Sequence, residues 1–176
     1  MEPYILFMNG RFIKKMKKAF KIGALARKPF KDVASMLGYS PVEISSKEAK
    51  EYFNQLAPSL KDLTHGIIQA LFIPAGLLST KSYITQEILD LGDFSLLHFA
   101  TFVGRMVKKT YFGCIILPKS ESGIESSKNF LKTIVSKVGE NPIDEKGWKD
   151  TLPARERFIA ENIKGSDRNL WPEIAS

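Results

Sequence analysis

A chain of 176 residues with 44% hydrophobic side chains and a formal net charge of +7 suits one folded domain with a sizeable core and excludes extended disorder. One cysteine, Cys114, excludes an intramolecular disulfide, and with only two histidines, His65 and His98, the standard structural zinc sites are excluded too. The positive charge is local: residues 1–31 hold nine lysines or arginines against one acid, Glu2, so the rest of the chain is nearly neutral.

Tyr4 to Met8 is too short for a secretory core, and the basic residues follow it instead of preceding it, so no leader is expected. Gly10 and Gly23 bracket a first helical pattern in which Phe12, Ile13, Met16 and Phe20 recur with lysines between them. This predicts an amphipathic helix docked through its apolar stripe. Arg11, Lys14, Lys15, Lys17, Lys18 and Lys21 then face outward, where they can attract anionic lipid or nucleic acid. Pro29 and Gly38 punctuate a shorter helix carrying Phe30, Val33, Met36 and Leu37. Ser40-Pro41-Val42-Glu43 reads as a capping box with proline at the first helical position. The helix it starts carries Ala49, Tyr52, Phe53 and Leu56 to a break at Pro58, and Leu60, Leu63 and Ile67 continue toward Pro74-Ala75-Gly76.

Ser79 to Ser82 offer caps for a helix through Ile84, Ile88 and Leu91, ended by Gly92. Asp93 then caps a helix over about Phe94–Lys109 that is apolar on nearly every face. It is too short and too polar for a bilayer, so it is expected at the centre of a soluble bundle. A second capping box, Ser122-Gly123-Ile124-Glu125, opens a helix with Leu131, Ile134 and Val138 in its stripe and Gly139 as its stop. Asn141-Pro142 starts a short helix leading to Gly147-Trp148, and Phe158, Ile159 and Ile163 suit one more. The expected fold class is therefore all-α: one bundle domain over residues 1–164, with 165–176 as a flexible tail. No phosphate-binding glycine loop, nucleophile elbow or metal-ligand spacing is present, so the expectation is a protein that is not an enzyme and uses no cofactor or metal. The apolar neighbours of Cys114 point to packing.

The order of motifs resembles the Bcl-2 family of apoptosis regulators. Glu87-Ile88-Leu89-Asp90-Leu91-Gly92-Asp93-Phe94-Ser95-Leu96 is similar to the family's first homology motif, and Glu145-Lys146-Gly147-Trp148-Lys149-Asp150-Thr151-Leu152 to its second. Ser59-Leu60-Lys61-Asp62-Leu63-Thr64 resembles the end of its second helix, which places the third motif (BH3) over about Ile44 to Leu56. The resemblance implies a Bcl-2-like bundle with a hydrophobic groove that binds BH3 helices of death-promoting proteins and restrains cell death. Tyr52, Leu56, Leu60 and Leu63 would line one wall and Ile84 and Ile88 the other, over a floor of His98 and Ala100, while Gly92, Asp93, Gly147 and Trp148 would be structural. His98 stands where the family has an arginine that pairs with an acid on the partner helix. The resemblance also implies a cytoplasmic protein, peripheral at the mitochondrial outer membrane; the family's hydrophobic carboxy-terminal anchor is not expected here, since Gly165 to Ser176 contains nothing approaching about twenty apolar residues. Two other readings compete: a basic adaptor holding anionic membrane or nucleic acid, and a helical subunit of a larger assembly.

Overall fold

The computed structural model describes residues 4–45, 47–49, 51–52, 83–103 and 109–152. The chain opens with strand β1 (Tyr4–Asn9), helix α1 (Gly10–Ala19), helix α2 (Pro29–Met36) and a two-residue edge strand β2 (Val42–Glu43). It resumes with three long strands, β3 (Tyr83–Asp90), β4 (Phe94–Val103) and β5 (Lys109–Pro118), and closes with helices α3 (Glu121–Val138) and α4 (Glu145–Asp150). The strands form one antiparallel sheet in the order β1-β5-β4-β3-β2.

The all-α bundle is thereby corrected. The segment expected as a central helix is strand β4, in the middle of the sheet, and the helix expected through Ile84 and Ile88 is β3. A strand covered on both faces reads as a nearly continuous apolar run, which helical periodicity also tolerates. What favours the strand is composition, because Phe94, Phe99, Thr101, Phe102 and Val103 are aromatic or β-branched and pack well on a pleated surface. Gly92 and Asp93 are not a helix corner. They are the two-residue loop of the β3–β4 hairpin, closed by Leu91 N–H donating to the Phe94 carbonyl at 2.9 Å, with Gly92 at φ 93° in the first loop position.

The sheet has two apolar faces. On one, Leu6 and Met8 of β1, Leu96 of β4 and Ile116 of β5 meet Phe12, Ile13 and Met16 of α1, Phe30 and Val33 of α2, and Phe130, Leu131 and Ile134 of α3. On the other, Ile5, Phe7, Ile88, Leu97, Phe99, Ile115 and Leu117 cluster with Ala49 and with half-buried Ile44, Tyr52 and Ile143. Three helices follow their expected signals. In α1 the stripe of Phe12, Ile13 and Met16 is buried, as its spacing requires. The N-terminal proline of α2 and the left-handed Gly139 ending α3 (φ 81°) are the expected start and stop. The α3 cap is Ser120, two residues before the expected capping box, and Val42–Glu43 extends as β2 instead of starting a helix. Gly123 lets α3 approach the hairpin loop, since a Cβ there would lie 2.1 Å from the Asp93 carbonyl oxygen. Among the described residues no helix is long and apolar enough to cross a membrane.

Candidate functional site

Helix α2 begins at Lys28-Pro29, and Lys28 carries no side-chain acceptor to cap it. The cap arrives from the sheet. A register shift between Thr85 and Glu87 in β3 turns Glu87 onto the helix start, where its carboxylate accepts the backbone N–H of Phe30 at 3.0 Å and of Lys31 at 2.9 Å. The same carboxylate lies 3.0 Å from His98 Nδ1 on β4, with the two side chains 0% and 2% exposed. A carboxylate already accepting two N–H groups calls for a donor, which assigns the proton to Nδ1. Phe30 and Phe112 flank the imidazole at ring separations of 4.9 and 5.7 Å. His98 Nε2 has no hydrogen-bond partner among the described residues.

Cys114 sits opposite His98 in the β4–β5 register, so carboxylate, imidazole and thiol cross three neighbouring strands in a row. The residue types are those of a nucleophilic triad, but the geometry does not provide one. Cys114 is fully buried, and burial followed by the nearby Glu87 charge pushes its thiol well up, away from the reactive thiolate. Among the described residues no group of three or more metal-ligating side chains is placed to hold an ion.

Of the residues expected to line a helix-binding groove, the described ones are divided between the two faces of the sheet. Ile88 belongs to one sheet face, whereas His98 lies against α2 on the other. Ile84 and Ala100 are register partners within the sheet, and Ala100 is buried. Tyr52 is half-buried beside the second face, its hydroxyl 2.6 Å from Ser95 Oγ and its pKa pushed up to about 12 by burial. Leu56, Leu60 and Leu63 lie outside the described residues, as does the region after 152. Asp93 accepts a hydrogen bond from Ser126 and caps no helix, whereas Gly147 packs against Asn9 and half-buried Trp148 follows it on α4.

The basic residues are brought together. Arg11 and Lys15 lie against Glu140, but Lys14, Lys18 and Lys21 have no carboxylate partner among the described residues; Lys17 donates to the Ala24 carbonyl. At the far end of α1 an open groove of about 980 Å³ lies between α1, α2 and α3, lined by Phe20, Met36 and Leu37 and by Lys21, Lys132, Thr133, Ser136 and Lys137. Sequence reasoning did not reach the α3 contribution, although the spacing of Lys132 with Ser136 and of Thr133 with Lys137 places each pair one helical turn apart. Beside the groove, the α1–α2 loop holds out Leu25, 94% exposed, between Lys21 and Arg27, and Met36 is 57% exposed. A smaller cavity of about 300 Å³ at the β2–β3 edge has its lysine, Lys28, paired with Glu43. No protein-family model, curated protein or solved structure matches this chain.

Proposed function

We propose that this protein is a peripheral adaptor that docks on anionic membrane surfaces through the basic end of α1, the α1–α2 loop and the outer face of α3. The observation that carries the reading is Leu25, an almost fully exposed aliphatic side chain in the α1–α2 loop, four residues after Lys21 and two before Arg27. An exposed aliphatic side chain in a loop flanked by cations matches an interfacial anchor, in which the apolar group enters the headgroup boundary while cations meet lipid phosphates. Each lysine brought near such a surface contributes about 1 kcal/mol, and burying a leucine adds about 1.5–3 kcal/mol. Nucleic acid is the weaker match, because sequence-tolerant strand binding draws on exposed aromatic rings for base stacking. The large exposed apolar side chains among the described residues are Leu25, Met36, Val42 and Leu152, none of them aromatic.

Vesicle co-sedimentation tests this. Binding is expected to vesicles of phosphatidylcholine mixed with phosphatidylserine and not to phosphatidylcholine alone, to weaken steeply with salt, and to fall roughly tenfold in Leu25→Asp. Equal binding to neutral vesicles, or none to either, would overturn the reading. Tight capture of BH3 peptides in the same assays, with vesicles ignored, would replace it by helix-in-groove recognition.

A further inference from the structure

The groove beside the membrane-facing loop is chemically more selective than a basic patch. The charged residues that line it are three lysines, Lys21, Lys132 and Lys137, and no Asp or Glu lines it. Within it the Thr133 hydroxyl is committed to the Asn129 carbonyl at 2.8 Å, which leaves Ser136 as the hydroxyl donor. Two of the lysines are held by the regular backbone of α3. The third is held at a conformational cost. Lys21 has φ 55°, the one non-glycine residue with positive φ among those described. It occupies the left-handed position that ends α1, with Ile22 N–H donating to the Lys17 carbonyl at 2.8 Å and its own N–H to the Lys18 carbonyl at 3.2 Å. That is the position where glycine is ordinarily found, because it has no Cβ to crowd the carbonyl. The lysine kept there is one of the residues that line the groove. Residues held in such sparsely populated backbone regions cluster at functional sites.

We propose that this groove is the seat for a phosphomonoester headgroup on the membrane lipid, an inference that rests on the membrane-docking reading. A phosphodiester headgroup offers one negative charge on its phosphate, whereas a phosphomonoester carries about −1.5 to −2 at neutral pH with three acceptor oxygens. Three ammonium groups and a hydroxyl without a competing carboxylate match the second. Leu25 and the other lysines supply attachment to any anionic surface, and the groove supplies the choice among lipids.

The test compares full-length protein on three vesicles: phosphatidylcholine alone, and phosphatidylcholine with either phosphatidylserine or phosphatidic acid, the last two matched in zeta potential. Lys21→Gly and Lys132→Gln are measured beside the wild type. Lys21→Gly keeps the fold because glycine relaxes the turn, and Lys132→Gln replaces an exposed helical residue. The expected result is at least tenfold tighter binding to phosphatidic acid than to phosphatidylserine, with that preference lost in both variants. Equal binding to the two anionic vesicles, or a preference untouched by both variants, would overturn the groove assignment and leave general membrane docking standing. Binding to neither would overturn both.

Discussion

Two groups of charged side chains in this molecule have opposite fates. At the Glu87 node a buried carboxylate meets two backbone N–H groups and one imidazole, and Lys28 and Lys31 just outside it are both paired with Glu43. Between α1 and α3, Lys21, Lys132 and Lys137 border an open groove with no carboxylate partner among the described residues. The first set is consumed by the fold, holding α2 against the sheet. The second has no such partners, and like charges left uncompensated on one surface cost stability through mutual repulsion. Where the fold leaves charge unspent, an anion from outside the chain is the natural complement.

Removing the node should have the largest effect. Glu87→Ala leaves Phe30 N–H, Lys31 N–H and His98 Nδ1 without their acceptor in a buried site, so unfolding free energy should fall by roughly 3–5 kcal/mol. Urea denaturation reads this directly. A double replacement, Glu87→Leu with His98→Leu, should recover part of the loss, because two apolar groups leave fewer orphaned donors than one broken pair. A single-variant cost below about 1 kcal/mol would mean that α2 is held by Phe30 and Val33 alone. Cys114, in register with His98, belongs to the same buried region, so a thiol reagent should reach it only in denaturant. Rapid labelling of native protein would show that the region opens.

The groove should respond in the opposite direction. Lys21→Gly relieves a left-handed lysine and one of three neighbouring positive charges, and should raise stability by about 1 kcal/mol while weakening vesicle binding. Stability and function moving apart in one substitution is the signature that separates this site from the node, where they can only fall together. If Lys21→Gly destabilises instead, the lysine side chain has a structural role at the end of α1.

The sequence was informative where the signal is local. The proline opening α2 and the glycine closing α3 act through backbone chemistry and the stripe of α1 through its spacing along one helix, and each lies where its pattern put it. The sheet was hidden because β3, β4 and β5 pack on both faces, which erases the polar alternation that marks a half-buried strand. A signal was nonetheless present, since Gly92-Asp93 between two apolar runs suits a two-residue hairpin as well as a helix corner. Strands β3 to β5 are also rich in Phe, Tyr, Ile and Thr. The remote cap by Glu87 was beyond reach, because 57 residues separate it from Phe30 and only a β-bulge aims it. The α1 side of the groove, with Lys21, was legible in the basic run from Arg11 to Lys31. Its α3 half was not, because Lys132 and Lys137 look like an ordinary solvated face until α3 is laid beside α1.

The smallest effect tests a carboxylate that, like Glu87, starts a helix, but in solvent. Asp144 caps α4 by accepting the Gly147 N–H at 2.6 Å. That backbone hydrogen bond, with a further one from Asn9, holds its pKa below the usual carboxylate value. A depressed folded pKa gives stability that is complete above the unfolded value, about 4, and is lost as pH falls through the folded value. Asp144→Asn retains a capping oxygen without the charge, so its deficit against the wild type should be a few tenths of a kcal/mol near neutrality and should vanish at lower pH. Asp144→Ala removes the cap itself and should cost about 0.5–1 kcal/mol at every pH. A deficit in Asp144→Asn that stays constant down to about pH 3 would assign the effect to the shape of the cap, and would leave burial, not helix capping as such, as what makes Glu87 the stronger of the two.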